Sequence, residues 1–206
     1  MDINNLMNKI RVRVPKPMDS ERKYAVLIPL IENQGEWEII YELRSKVLKS
    51  QPGEVSFPGG RVEDGETFVE AAIRETMEEL LLERENISVI GELDYLVSYA
   101  NFTIHCFLAT INGISVDKIT PNSDEVDHLF TVPLKYLMDN EPDKYELELK
   151  TVENEEFPYY LIPNGKEYNF KKGKHSVLFY TYMDYIIWGF TAKMTKQLID
   201  IIRDLK

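Results

Sequence analysis

A mixed α/β domain is the fold class this sequence predicts. Short apolar, β-prone runs are interspersed with helical patterns but show no regular strand–helix–strand repeat. Thr67 to Leu80 carries both a helix start signal and one apolar stripe. Tyr185 to Leu205 has the period of a long amphipathic helix, with Ile187, Phe190, Met194, Leu198 and Ile201 on one face. At 206 residues, 44% of them apolar and 11% aromatic, the chain can bury a core and is not disordered.

Along the chain, residues 1–23 form an N-terminal segment with a loop at 15–22. A single domain follows over 24–206, with a C-terminal extension from about residue 140. Tyr24–Ile31 and Trp37–Leu43 predict two strands joined by a five-residue loop, Glu32 to Glu36. Residues 44–60 hold Pro52, Gly53, Pro58, Gly59 and Gly60, which predicts a structured loop with at most a short strand at Val55–Phe57. Thr67 and Glu70 make a capping box, because the hydroxyl can accept a free N–H while the carboxylate reaches back. Val69, Ala72, Ile73, Thr76, Met77 and Leu80 then form the buried stripe. Further strands are expected at Ile87–Leu93, Tyr95–Tyr99, Thr103–Ile111, Val126–Val132 and Ser176–Tyr182, with a short helix at Pro133–Met138. The acidic stretch 139–156 reads as a solvated loop or hairpin.

The formal charge is −11, from 24 basic and 35 acidic residues. Such a chain is a poor general binder of nucleic acid or of anionic membrane. The acidity is concentrated: residues 61–85 carry −6, residues 139–156 another −6, and the remainder +1. Cys106 is the lone cysteine, which excludes an intrachain disulfide and a cysteine-based zinc site. No aliphatic run approaches the roughly 20 residues of a membrane span. Met1 to Arg13 lacks the apolar core of a signal peptide, and the last three residues are not a peroxisomal address. The expected compartment is the cytoplasm.

The chemistry concentrates in Gly60 to Glu66 and, seven residues later, Arg74-Glu75-Thr76-Met77-Glu78-Glu79. At 3.6 residues per turn, Glu75, Glu78 and Glu79 fall within about 100° of arc, off the apolar stripe. Three such carboxylates repel one another, and Arg74 is the one local counter-charge. Either this is a plain solvated face, or a divalent cation binds there. Hard oxygen ligands suit Mg²⁺ or Mn²⁺ rather than zinc. The Gly59-Gly60 turn can bring a bare backbone carbonyl to the same place.

This joint spacing resembles the Nudix box, G-x5-E-x7-R-E-U-x-E-E-x-G-U, where U is a bulky aliphatic residue. Gly60, Glu66, Arg74, Glu75, Glu78, Glu79 and Leu82 match it. Thr76 stands at the first U, and Leu81 replaces the second glycine. Leucine resists the left-handed conformation in which that glycine ends the helix, so a longer helix, to Glu83 or Arg84, or a differently ended one is expected. The resemblance implies a Nudix-type α/β/α sandwich with a mixed β-sheet and a C-terminal amphipathic helix. It implies that Glu75, Glu78, Glu79 and the Gly59 carbonyl hold Mg²⁺ or Mn²⁺, and that Glu66 and Arg74 form a supporting ion pair. The implied reaction is hydrolysis of a nucleoside diphosphate linked to another moiety, by in-line attack of water with cations neutralising charge. A further carboxylate often assists; Glu125 is the candidate, and an exposed loop acid is its alternative reading.

The flanks narrow the substrate. Arg44, Ser45, Gly53 and Phe57-Pro58-Gly59-Gly60 stand at the spacing of the motif that precedes the box in coenzyme A pyrophosphatases, with Lys49 at that motif's second arginine. Ile40-Tyr41-Glu42 departs from its Leu-Leu-Thr opening. Trp188-Gly189-Phe190-Thr191-Ala192 is similar to the segment that opens the subgroup's last helix. This implies hydrolysis of coenzyme A or acyl-coenzyme A to (acyl-)4′-phosphopantetheine and adenosine 3′,5′-bisphosphate, with Arg44, Ser45, Lys49 and Phe57 as substrate contacts. The alternatives are another Nudix substrate (ADP-ribose, a dinucleotide, an oxidised nucleoside triphosphate) or a binding module without turnover. The expected partner is a small nucleotide, and a homodimer is left open. Arg44 also reads as a strand-end salt bridge, Phe57 as apolar filler, Gly53 as a turn residue and Trp188 as core packing. His105, His128 and His175 make no ligand spacing and read as structural. Cys106 reads as a buried strand residue, and the aromatic clusters at Tyr159–Tyr160 and Phe179–Tyr185 as core or strand face.

Overall fold

The computed structural model describes residues 2–18, 22–152 and 154–205. Strands β1 (Arg22–Asn33) and β2 (Glu36–Arg44) form the expected hairpin. Its turn is tighter than expected, because Gln34 and Gly35 alone join Asn33 to Glu36, both at positive φ (53° and 86°). Positive φ at both central residues belongs to the turn whose twist matches its flanking strands. Strand β3 (Val55–Ser56) pairs with β2. Strand β4 (Gly59–Arg61) pairs with β1, Val26 opposite Gly59 and Tyr24 opposite Arg61. Nothing in its two glycines predicts a strand, since they bring little side chain to pack; backbone pairing to β1 holds it.

Strands β5 (Ile87–Glu92), β6 (Leu96–Ser98), β7 (Phe102–Ile111) and β8 (Val126–Pro133) complete this sheet. β1 and β7 run parallel, while the other pairs are antiparallel, so the sheet is mixed. Side chains alternate along β1 with period two. Ala25, Leu27 and Ile31 pack with Ala71, Ala72 and Leu80 of helix α2 (Phe68–Leu80). Ile28 and Leu30 pack on the other face, with Ala192, Met194 and Leu198 of helix α4 (Gly189–Asp204). The result is an α/β/α sandwich with one core on each face of the sheet.

Helix α2 starts as its sequence predicts: the Glu70 amide donates to the Thr67 hydroxyl, and the Thr67 amide donates to the Glu70 carboxylate. Its end does not. Leu81 takes the left-handed conformation (φ 49°, ψ 45°) and stops the helix at Leu80, short of the expected Glu83 or Arg84. The Asn122 amide donates to the Glu79 carbonyl across 2.9 Å, so a distant loop satisfies a carbonyl at the helix end. Leu82 then turns into the core.

The C-terminal part adds α3 (Leu134–Asp139) and a second sheet of β9 (Asp143–Leu149), β10 (Gly173–Tyr182) and β11 (Tyr185–Trp188), ordered β11-β10-β9. Residues 185–188, expected as the first turn of a long helix, are β11, and the helix begins at Gly189. The acidic stretch is solvated, as expected, but much of it is the extended strand β9, paired with the distant β10 rather than in a local hairpin. Glu146 pairs with Lys174, and Glu141 with Arg203 and Lys196, so cations from β10 and α4 meet part of its charge. Glu153 of that stretch lies outside the described residues.

Helix α1 (Ile3–Arg11), not expected from the sequence, contributes no buried residue. Of the loop expected at 15–22, residues 19–21 lie outside the described set, and Arg22 already belongs to β1. Four rings, Phe57, Tyr41, Phe130 and Tyr185, stack in sequence through the core, and the Tyr41 hydroxyl bonds the Thr195 hydroxyl of α4 at 2.9 Å. Tyr160 is exposed rather than core, whereas Tyr180 and Cys106 are buried.

Candidate active site

Helix α2 presents its acids unequally. Glu78 is exposed, Glu75 is mostly covered, and Glu79 retains 3% of its surface, so the cluster is no plain solvated face. Arg74 binds Glu66 with two nitrogens (2.9 and 3.2 Å) and also reaches Glu75 at 2.8 Å and Glu78 at 3.3 Å. The guanidinium, with help from the Glu63 amide, holds the Glu66 carboxyl below its usual range.

Among the described residues no cation pairs with Glu79. Its Oε2 accepts from the Gly59 amide at 2.8 Å. Burial pushes its carboxyl well above the ordinary carboxylate range, and the charges of Glu42, Glu75 and Glu125 add to the rise. Glu75 is also raised by burial, against the lowering effect of Arg74. Gly60 is needed beside it: a Cβ there would overlap the Glu75 carboxylate. A Cβ on Gly59 would lie 2.5 Å from the Ala25 carbonyl. Both glycines therefore permit a close approach, and Gly59 turns its amide to the cluster.

Glu42 was missed by the sequence reading. It lies on β2, 1% exposed, on the α2 side of the sheet that Ile40 also faces. Ser56 donates to its Oε1 at 2.7 Å, while Oε2 is buried and has no partner among the described residues. Burial raises its pKa; the Ser56 hydrogen bond and the charge of Arg44 only partly oppose that. The signal was available: an acid stands where the period of two asks for an apolar side chain.

Glu125 joins the same group. The Ser45 amide donates to the Glu125 carbonyl at 2.8 Å, and the Asn122 amide donates to the helix end at Glu79. The loop is thus tied to both β2 and α2. Glu125 is half-buried, and its charge bears on Glu42, Glu75 and Glu79. This is not the setting of an isolated loop acid.

Glu42, Glu75, Glu78, Glu79 and Glu125 thus form one cluster, of which Arg74 reaches only Glu75 and Glu78. Buried like charges with an orphaned oxygen are costly unless a cation offsets them, and all-oxygen donors fit a hard divalent ion. The residues fit such an ion by chemistry. Among the described residues no three acids are already drawn into one coordination shell. Arg74 takes one oxygen each of Glu75 and Glu78, which leaves the other oxygen of each to face a cation.

A cavity of about 650 Å³ opens beside this cluster. Gly59, Gly60, Phe57 and Arg44 line it from the sheet, and His175, Val177, Trp188 and Phe190 line it from the C-terminal part. Arg44 has a buried Nε without a partner among the described residues. Ser45 is buried, Lys49 is exposed, and neither is brought to this cavity. Trp188, expected in the core, is 40% exposed on the cavity wall, and His175 is a wall residue too.

The NUDIX domain family matches residues 21–170 of the chain. Nudix hydrolase 3 of Caenorhabditis elegans is 30% identical over 92% of this chain and 77% of its own length. The mouse proteins "Mitochondrial coenzyme A diphosphatase NUDT8" and "Peroxisomal coenzyme A diphosphatase NUDT7" are each 31% identical, over 86% and 93% of this chain and 77% and 78% of theirs. Among solved structures, a MutT/nudix family protein of Enterococcus faecalis superposes with a TM-score of 0.54, covering 98% of this chain and 70% of that one at 10% identity, a likeness of fold. Nudix hydrolases generally use divalent metal ions and act on small nucleotide derivatives. Among the described residues no helix is long and apolar enough to cross a membrane. The chain belongs to the Nudix hydrolase family and is a pyrophosphohydrolase.

Proposed function

We propose that the chain hydrolyses the diphosphate of coenzyme A or acyl-coenzyme A, yielding (acyl-)4′-phosphopantetheine and adenosine 3′,5′-bisphosphate. One observation carries the reading: a large cavity runs from Gly59 and Gly60, the glycines that lie against Glu79 and Glu75, to a wall built by the C-terminal residues. Two relatives of this chain named as coenzyme A diphosphatases support it.

In this reading Glu75, Glu78 and Glu79 hold Mg²⁺ or Mn²⁺, with Glu42 and Glu125 close behind. The bound cations supply charge neutralisation and a more acidic water at the scissile phosphorus. Arg74 positions Glu75 through its grip on Glu66, and Glu125 accepts the proton of the attacking water. Arg44 receives the diphosphate, and Phe57 closes the pocket floor. Residues 24–206 act as one unit. A cytoplasmic setting and a homodimer are the remaining parts of the proposal; the first rests on composition alone.

The test is product analysis. Coenzyme A, ADP-ribose, NADH and dinucleoside polyphosphates are incubated with the protein and Mg²⁺ or Mn²⁺. Adenosine 3′,5′-bisphosphate is the expected product from coenzyme A. Faster turnover of ADP-ribose or a dinucleotide replaces this reading with the other Nudix one, and no turnover of any of them favours a binding module.

A further inference from the structure

The cavity carries cationic side chains at two separate places. Arg44 stands at the Gly53–Glu54 side, near the metal loop. Arg22 stands elsewhere on the wall, at the start of β1, where it is paired with Phe102. Val26, paired with Gly59, is four residues further along the same strand, roughly 13 Å. A ligand that touches both Gly59 and Arg22 is therefore nucleotide-sized.

Arg22 is held but not neutralised. Its guanidinium lies over the Phe102 ring at 5.7 Å and donates through Nη2 to the Ala100 carbonyl at 2.8 Å. No carboxylate pairs with it among the described residues. That contact uses one of its five N–H donors. His175, on the same wall, packs edge-on against Tyr99 at 5.0 Å and Phe190 at 6.2 Å. Its ring nitrogens have no hydrogen-bond partner among the described residues. Burial, and then the charge of Lys193, lower its pKa. The imidazole is thus a neutral hydrogen-bonding group at neutral pH, beside positive potential. Tyr99 and Trp188 leave flat ring area exposed on the wall.

An apolar arm offers nothing to these two side chains and a pantetheine arm only neutral amide and hydroxyl oxygens, whereas a phosphate monoester offers charged acceptor oxygens to both, in the geometry arginine favours. We infer that Arg22 and His175 recognise a ribose phosphomonoester of the substrate, separate from the scissile diphosphate, while the purine stacks on Tyr99 or Trp188. This rests on the diphosphatase reading above and deepens it: the selected class is nucleotides with a phosphate on the ribose ring.

Binding separates the two ideas. Adenosine 3′,5′-bisphosphate and adenosine 5′-monophosphate are titrated into the protein by calorimetry with Mg²⁺ present, for the wild type, Arg22→Gln and His175→Ala. The expected result is a preference for the bisphosphate of about 10- to 100-fold in the wild type, largely lost in each variant. Equal binding of the two nucleotides by the wild type, or a preference that survives both substitutions, overturns the inference. Hydrolysis is then compared as the ratio of kcat/KM for coenzyme A to that for dephospho-coenzyme A, which should fall by a similar factor. The shared diphosphate makes the second substrate an internal control for folding. If the bisphosphate preference holds and depends on Arg22 while neither coenzyme is cleaved, the diphosphatase reading fails and the phosphate site stands. If coenzyme A is cleaved with a ratio unmoved by the variants, the reverse holds.

Discussion

The amide of Gly59 donates to the carboxylate of Glu79 across 2.8 Å, although twenty residues separate them. The bond fixes the glycine strand against helix α2 and gives a buried carboxylate one partner. It leaves Glu79 short of a cation. Glu79→Gln should keep the Gly59 bond, since the amide oxygen still accepts, while removing a charge that burial opposes. We expect turnover to fall by more than about a hundredfold with thermal stability of the metal-free protein unchanged or higher. Near-normal turnover in this variant would remove Glu79 from the metal site.

Metal-free protein should be least stable at alkaline pH. The Glu79 and Glu42 carboxyls are both raised above their unfolded values, chiefly by burial. A raised carboxyl means the folded state binds more protons than the unfolded one. Its stabilising effect is complete below the unfolded pKa and is lost as pH rises through the folded one. Chemical denaturation in chelator should show stability falling from about pH 4.5, through about pH 7 for Glu42, to about pH 9 for Glu79. Saturating Mg²⁺ should flatten that slope, because the cation replaces the protons. A slope that is unchanged by Mg²⁺ would separate the carboxylate cluster from metal binding.

Two glycines give a paired test of the loop. A Cβ on Gly60 would overlap the Glu75 carboxylate, whereas one on Gly53 meets nothing within 4 Å. Gly53 instead has a positive φ of 73°, so alanine there costs backbone strain of about 1–2 kcal/mol. Gly60→Ala should displace Glu75 and reduce kcat with a modest change in melting temperature. Gly53→Ala should lower the melting temperature and leave metal affinity intact. Equal metal affinity in both variants would show that Glu75 does not depend on Gly60.

What could be read early was local. The capping box at Thr67 and Glu70, the stripe from Val69 to Leu80 and the spacing of Glu75, Glu78 and Glu79 all lie within one helix, where period and chemistry coincide. Glu125 could be named because it stands in a loop just before a strand. Glu42 showed only as an acid at an apolar place in the alternation, and its weight depends on β2 turning that face to α2, beside a Glu79 thirty-seven residues away. Arg22, His175 and Trp188 meet only when the second sheet packs against the first. The acids at 139–156 look unbalanced until β10 and α4 bring Lys174 and Arg203 to them.

The end of helix α2 shows a local rule overridden, and it can be measured. Leu81 occupies the left-handed conformation, which costs an L-residue roughly 1–2 kcal/mol. Its side chain is 63% exposed, so little burial opposes a change there. The Asn122–Glu79 backbone bond and the burial of Leu82 hold the turn in place. Leu81→Gly should relieve the strain, offset in part by the greater freedom of glycine in the unfolded chain. The expected gain is about 0.5–1 kcal/mol, or about 1–4 °C in melting temperature for a domain of this size. Leu82→Ala should instead cost about 2–5 kcal/mol, because it empties a core position. If Leu81→Gly lowers the melting temperature, leucine is not strained there, and the helix continues towards Glu83 in solution.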